Sequence, residues 1–493
     1  MKLTSILTGF FWLLLQGSLN VDITGVFDDS RNVKPGGVFI CIRGTKMDGH
    51  TKIGEALDRG ASALLTDRPV DVNPKYHPTI IQTPDTRVAA AKMAAAFYDF
   101  PENAMKIIGI TGTKGKTTTA YMIKSILEAS GCKTGLIGTV EIDDGHTRMP
   151  SVNTTPGALT IQSALARMRD NHVKYAVMEV SSQGLKQSRT AGIHFEAALL
   201  TNISKDHIGK YEHADMEEYM FCKSLLFNQC SAGLVNAADK MACRAVSRYE
   251  GRLYGFAEEG LPIYLPSDKI KFTGKMYSHE TSVKTPQRFV FKERGRQPFE
   301  IKTHMAGQFN GINALGAAAC ARLLKIDHDA ICRGLKEVNV RGRMEIVPIR
   351  KPVTVMIDYA HNAASLETLL RTVRPICCGK LICMFGCGGC RSKERRKGMG
   401  EVSARFADLT VVTTDNPRDE PPLTIMEDII EGVQKAGGVY KAIENRKEAI
   451  KYCIDHAQKE DIVILAGKGH ETYQEIQGIK YPLDEKAYLM ENF

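Results

Sequence analysis

The 493-residue chain has no run of about 20 apolar residues, the length a membrane-spanning helix needs. It has no internal repeat and no low-complexity linker, which sets aside a repeat architecture. It also lacks the makings of a disulfide framework. Its thirteen cysteines are an odd number scattered from Cys41 to Cys453, the pattern of reduced thiols. Charge of one sign is scarce too: the net charge is +9, and basic residues are not interleaved with aromatic ones. That balance suits an anionic small molecule and gives no support to a nucleic-acid partner.

Three stretches invite other readings. Lys393-Glu-Arg-Arg-Lys397 is the densest basic run, and it fits either a solvated loop or an anion-binding segment. Cys387-x-x-Cys390 has zinc-site spacing within the group Cys377, Cys378, Cys383, Cys387 and Cys390. Lys380 to Gly386 between them reads as a buried strand, so a thiol-metal protein stays an alternative only. Lys2 with the apolar stretch Ile6 to Leu15 imitates a signal peptide. Thr8 and Gly9 break it and no clear Ala-x-Ala site follows, so an internal amphipathic element in a cytoplasmic protein is expected.

What is present is a globular composition, 43% hydrophobic and 25% charged, in a chain long enough for about three domains. The stretch around which it is organised is Lys106-Ile-Ile-Gly-Ile-Thr111, then Gly112-Thr113-Lys114-Gly115-Lys116-Thr117-Thr118, then a segment with apolar residues at helical spacing. Strand, glycine turn and helix in that order are the context of a phosphate loop. Gly112 and Gly115 let backbone N–H groups close on a polyphosphate at the positive end of a helix dipole. Lys116 would reach the β/γ oxygens, and Thr117 would place its hydroxyl on Mg²⁺. The strict pattern is broken at one position, where Ile110 stands in place of the first glycine.

Residues 1–102 alternate short strands and turns, with an alanine-rich helix from Arg87 to Tyr98 and a break at Pro101. Residues 103–338 repeat strand–helix units, with strands expected at 106–111, 134–138, 175–180, 196–200 and 232–235 and helices at 158–170 and 215–227. This predicts a doubly wound, mainly parallel sheet. A β-rich excursion is expected over 252–305, then a helix from Ala306 to Leu324. From 339 to 493 the strand–helix pattern restarts, giving a Rossmann-like α/β domain. The fold class is therefore α/β in three domains, the smallest being N-terminal.

In open parallel sheets, ligands sit beyond the carboxyl ends of the strands. Glu179 ends one such strand and could hold Mg²⁺. His207 follows another and is a candidate second cation ligand. Lys223, on an otherwise apolar helix, is not singled out by its spacing. Asp358-Tyr-Ala-His361-Asn362, Asp415-Asn416-Pro417-Arg418 and Gly467-Lys-Gly-His-Glu471 end three strands of the last domain. Arg418 suits a planar carboxylate.

These motifs in this order resemble the Mur ligases of peptidoglycan synthesis. Asp29-Ser30-Arg31, Gly112 to Thr119, Asn153-Thr154-Thr155-Pro156, Glu179-Val-Ser181-Ser182, Thr201-Asn202 to His207, Gly307-Gln-Phe-Asn310, Gly342-Arg343 and the three C-terminal clusters carry the resemblance. It implies a UDP-substrate domain, a central ATPase domain and a mobile amino-acid domain. It also implies ATP-driven formation of an acyl phosphate, which an incoming amine attacks. By resemblance, Ser30 belongs to the uridine site, and Thr154, Thr155, Ser181, Gln187 and Arg189 hold a muramoyl-dipeptide. Glu179 and His207 match magnesium ligands beside Thr117. Lys223 matches a lysine that is carbamylated, and with Lys116, Glu179 and His207 it would make the catalytic set. Asn153, Asn310, Arg343 and Asp358 join the loop residues at the nucleotide. Arg391, Asp415, Asn416, Pro417, Arg418, Gly467 and Glu471 match an amino-acid site, and Asp-Asn-Pro-Arg accompanies meso-diaminopimelate in the family.

The expected protein is an ATP- and Mg²⁺-dependent amide ligase, monomeric, taking UDP-MurNAc-dipeptide and a diamino acid, with neither nucleic acid nor membrane as partner. The chain departs from the family pattern at Cys390 and Ser392, where aspartates are usual, at Lys114, at Ala363, and in the stretch Ile208-Gly-Lys-Tyr-Glu-His213. These departures leave a ligase for lysine or another amine, or for another glutamate-containing acceptor, as the nearest alternative. A nucleotide-binding module without catalysis is the alternative from a different class.

Overall fold

A computed structural model describes residues 1–44, 47–209, 212–277 and 285–493. Two compact units divide it. The first is 1–275 with 291–299 and 313–334; the second is 276–290 with 300–312 and 335–493. Lys210 and Tyr211 of the unusual stretch after His207 lie outside the described residues.

The first unit holds two sheets. The N-terminal one runs in the order Leu13–Gln16, Thr79–Gln82, Ala63–Thr66, Val38–Ile40, Val26–Phe27, antiparallel at the first pair and parallel after it. The helix Thr86–Phe97 covers it, buried through its alanines and Met93 and capped by Asp85, whose carboxylate accepts from the Arg87 and Val88 N–H groups. The expected amphipathic element at residues 6–15 is instead divided. Leu3, Ile6 and Leu7 are buried around a one-turn helix, while Leu13, Leu14 and Leu15 lie exposed on an edge strand.

The second sheet of this unit carries the phosphate loop. Its neighbours run Ile270–Met276, Leu253–Glu258, Gly233–Asn236, Ala197–Leu200, Lys106–Thr111, Tyr175–Glu179, Thr134–Ile137, Glu141–Asp143, Arg148–Pro150, and all but the last two strands are parallel. The central strands are continuous apolar runs because both faces are covered, with Ile107, Val177, Met178 and Leu199 all buried. The strand Lys106–Thr111 lies between Tyr175–Glu179 and Ala197–Leu200. Their carboxyl ends therefore present Gly112, Glu179 and Thr201 side by side. Among the described residues, the stretch 252–305 supplies four strands, the last two being Gln287–Glu293 and Phe299–Thr303.

The second unit contains a six-stranded sheet in the order Glu345–Val347, Thr354–Asp358, Ile462–Ala466, Leu381–Phe385, Leu409–Val412, Tyr440–Ala442, antiparallel only at the first pair. The basic run 393–397 is neither a loop nor wholly solvated. It opens the helix Lys393–Phe406, and Arg396 is buried against Asp428 at 3.0 Å and Glu420 at 2.7 Å. Cys383 and Cys387 are buried while Cys378 and Cys390 are exposed, and no metal-ligating group forms there among the described residues. No described helix is long and apolar enough to cross a membrane.

Candidate active site

The loop Gly112–Gly115 joins the strand Lys106–Thr111 to the helix Lys116–Ala129. Gly112 has φ +147°, and a Cβ there would stand 2.0 Å from Thr201 Oγ1. Gly115 has φ +83°, in the left-handed region that suits glycine. The end of the neighbouring strand holds the loop in shape. Asn202 Oδ1 accepts from the Lys114 N–H at 2.9 Å, and Thr201 Oγ1 donates to the Lys114 carbonyl at 2.7 Å. The Thr113 hydroxyl lies 3.0 Å from Tyr219 Oη. Thr118, the third residue of the helix, is buried.

Two lysines fold back onto this loop. Lys116 Nζ donates to the carbonyls of Gly112 at 2.8 Å and Thr113 at 3.1 Å. Lys223, on the helix Met216–Ser224, is 1% exposed and donates to the same Gly112 carbonyl at 2.8 Å. Its ammonium also stands 4.5 Å from the centre of the Tyr219 ring. Burial pushes the Lys223 amine well below the usual lysine range, and the Lys116 charge pushes the same way.

Glu179 is fully buried, not a solvated strand end. Its carboxylate accepts from Thr117 Oγ1 at 2.8 Å, Thr139 Oγ1 at 3.0 Å and the Thr139 N–H at 2.8 Å. Hydroxyl and carboxylate oxygens in this arrangement are the hard donors that Mg²⁺ takes. His207 has φ +54°, is half-exposed, and holds Glu212 at 3.1 Å through Nδ1. Thr117 and Glu179 are thus directly joined, whereas His207 and Lys223 flank Tyr219.

The residues assigned to a muramoyl-dipeptide continue from Glu179. Thr154 Oγ1 lies 3.0 Å from Thr139 Oγ1. Thr155 Oγ1 donates to the Glu179 carbonyl at 2.9 Å and accepts from the Ser181 N–H at 2.8 Å. Arg189 donates to the Thr155 carbonyl and to Gln187 Oε1, the latter at 2.7 Å. Asn153 is exposed beside them, its carbonyl bonded by Ser151. Ser30 is buried in the N-terminal sheet region and donates to Glu55 at 3.0 Å.

The second unit gathers its own polar cluster. Lys468 is fully buried and reaches Asn416 Oδ1 at 3.1 Å, Glu471 Oε2 at 3.2 Å and Asp415 Oδ1 at 3.4 Å. Asn416 Nδ2 donates to Glu471 at 2.9 Å. Arg418, at φ +54°, donates to the Gly389 carbonyl at 2.8 Å and pairs with Glu475 at 3.4 Å. Pro417 is buried with its carbonyl against Gly389, and Gly467 at φ +104° leaves room for the Asp415 carboxylate. Arg391 is exposed. Asn310, Arg343 and Asp358 also belong to this unit. Asn310 donates to the Ala306 carbonyl at 2.8 Å, and the Arg343 guanidinium lies 4.6 Å from the Tyr359 ring. Asp358 accepts from the Met344 and Ala360 N–H groups, and burial raises its carboxyl above the usual range against the pull of Arg343.

Three family models match the chain. The Mur ligase middle domain matches residues 110–321, the Mur ligase glutamate ligase domain 342–469, and the Mur ligase family catalytic domain 22–99. A UDP-N-acetylmuramoyl-L-alanyl-D-glutamate–2,6-diaminopimelate ligase of Caldanaerobacter subterraneus subsp. tengcongensis is 38% identical over 97% of this chain and 96% of its own. The chain belongs to the Mur ligase family. A relative of the same description from Aquifex aeolicus is 39% identical over 95% of this chain and 93% of its own. A solved structure so described aligns with a TM-score of 0.66 at 26% identity, covering 99% of this chain and 98% of the other.

As a Mur ligase the chain is an ATP-dependent, ADP-forming enzyme. Two residues, one in the polar cluster of each unit, escaped the sequence reading. Thr139 follows a strand in no named motif, and only the fold brings it to Glu179. Lys468 sits inside Gly467-Lys-Gly-His-Glu471, and its position between two assigned residues was the available signal. The unusual Ser392 has a local task, since its hydroxyl caps the helix Lys393–Phe406 by accepting from the Arg395 N–H. Serine replaces aspartate there with little loss of capping. Cys390 stands at φ +59° with its N–H bonded to Glu420.

Proposed function

We propose that this Mur ligase joins meso-diaminopimelate to the D-Glu carboxylate of UDP-MurNAc-L-Ala-D-Glu, converting ATP to ADP and phosphate in peptidoglycan precursor synthesis. The observation that carries the reading is the Asp415–Arg418 turn, where Arg418 is held by Gly389 and Glu475 beside Asn416, Lys468 and Glu471. A guanidinium fixed in that way can take a distal carboxylate in bidentate fashion, while Glu471 and Asp415 can receive an ammonium.

In the first unit, the D-Glu carboxylate would attack the γ-phosphorus. ADP leaves, and an acyl phosphate forms. The loop N–H groups bind the β-phosphate, and Lys116 would leave its carbonyl partners to neutralise charge on the transferring phosphoryl. Thr117 and Glu179 would hold Mg²⁺, with His207 and Lys223 as further contributors; the ion supplies charge neutralisation across the phosphates. Lys223 would serve as an oxygen donor once its neutral amine has taken up CO₂ as a carbamate. Thr155, Ser181, Gln187 and Arg189 would orient the dipeptide. The amine then displaces phosphate from the acyl carbon.

We assign residues 1–102, 103–338 and 339–493 to substrate, ATP and amino-acid domains of a monomeric cytoplasmic enzyme. The test is phosphate release from Mg-ATP and UDP-MurNAc-L-Ala-D-Glu with meso-diaminopimelate, L-lysine or no amino acid. Release with diaminopimelate alone, and a tripeptide product by mass, is the expected result. Release with lysine instead would transfer the assignment to a lysine-adding ligase.

A further inference from the structure

Near Tyr219 lies a second group of ligand atoms that the ligase chemistry does not use. His213 is fully buried, its ring 5.2 Å from that of Tyr219. Its Nε2 lies 2.9 Å from Ser182 Oγ, and its Nδ1 is buried with no hydrogen-bond partner. The tautomer that donates Nε2–H to Ser182 leaves Nδ1 a bare lone pair, and this is how second-shell hydroxyls prepare histidine ligands. That lone pair faces Glu218 Oε2 at 3.8 Å. The imidazole is buried and the carboxylate partly exposed, and a cation between the two would satisfy both acceptors.

The third member is Cys222, buried, one helical turn after Glu218. Residues at i and i+4 project from one helix face. The ligand atoms of His213, Glu218 and Cys222 all lie within 4.8 Å of one another. In a tetrahedral zinc site the bond lengths place ligand atoms about 3.5 Å apart. A rotamer adjustment of roughly an ångström therefore closes the set. Glu218 now also accepts from the Ala214 N–H and pairs with the half-exposed Lys186 at 2.7 Å, so that lysine would turn to solvent.

We propose that His213 Nδ1, Cys222 Sγ and the Glu218 carboxylate form a three-ligand site for a divalent ion of the zinc class, with water in the fourth position. The site is distinct from the Thr117–Glu179 oxygens. Nitrogen and thiolate donors select zinc or cobalt, whereas Mg²⁺ takes oxygen. The Cys222 thiol loses its proton to solvent as the sulfur–metal bond forms. Bound there, the ion ties the helix carrying Lys223 to the segment that precedes it.

The test is equilibrium dialysis of the full-length protein against Zn²⁺ in excess Mg²⁺, with Co²⁺ as the spectroscopic probe. One tightly held Zn²⁺ per chain is expected, with thiolate-to-cobalt charge-transfer absorption in the Co²⁺ form. Cys222→Ser should abolish that absorption and weaken Zn²⁺ binding at least about tenfold. Glu218→Gln, a change at a partly exposed side chain that leaves the core intact, should weaken binding while keeping the absorption. Absence of tight Zn²⁺ uptake, or uptake unaltered in both variants, overturns the proposal.

Discussion

Lys116 and Lys223 donate to one oxygen, the Gly112 carbonyl, each at 2.8 Å. Two full ammonium charges crowded on one carbonyl in a buried setting repel, and the more deeply buried group gives up its proton more readily. Lys223 is that group, and a neutral amine is what CO₂ requires. Enzyme equilibrated with ¹³C-bicarbonate should show a carbamate ¹³C resonance that is absent from Lys223→Ala. The same variant should lose about 10²–10³ in kcat. Full activity in Lys223→Ala would refute a role in the phosphoryl step.

Thr139 supplies two of the three hydrogen bonds to the buried Glu179 carboxylate. Thr139→Val keeps the shape and removes the hydroxyl. The expected outcome is a Mg²⁺ requirement raised by about 10–100-fold with a smaller change in the ATP KM, since outer-shell partners orient metal-binding carboxylates. Magnesium titration of initial rates measures it.

Lys468 is the one cation reaching Asp415, Asn416 and Glu471 together among the described residues. Lys468→Met leaves those groups buried beside an apolar chain, at a cost of about 3–5 kcal/mol in stability. The amino-acid KM should rise more than the KM for ATP. Urea melts and paired KM measurements separate the two effects.

Arg418→Asn removes the guanidinium and keeps a residue type that tolerates φ near +54°. Use of meso-diaminopimelate should fall about 10²-fold in kcat/KM, as charged hydrogen bonds of this kind contribute about 1.5–3 kcal/mol. Use of an amino acid without the distal carboxylate should fall much less. Unchanged diaminopimelate kinetics would remove Arg418 from the specificity site.

His470 titrates low, to about 3, chiefly from burial and also from the charges of Arg343, Arg341 and Lys468. Its unfolded value is near 6.5, so the unfolded chain binds the extra proton first as pH falls. This group therefore contributes no pH dependence above pH 7, and stability is lost progressively from about pH 6.5 toward about 3. Urea midpoints of His470→Gln should decline less steeply over that window than those of the unaltered protein.

Much of the molecule was legible in order along the chain. Apolar runs at strand length, helical spacing between them and glycine at Gly112 and Gly115 were enough to locate the phosphate loop and the parallel sheet, because those patterns are local consequences of backbone geometry. The helix at 158–170 has the expected ends. Of the two readings of the basic run at 393–397, the solvated loop fails, because a charge in sequence does not reveal whether acids from a distant helix, here Asp428, will bury it.

The order of residues along the chain by itself determined the α/β class, the loop and the strand ends where polar groups collect. Tertiary structure alone decided the states of those groups. It put Lys223 on the Gly112 carbonyl across 111 residues of sequence, Thr139 on Glu179 across 40, and Lys468 among three polar partners. Burial and charge–charge distance set the protonation and strength of such contacts, and both depend on which segments the fold brings together.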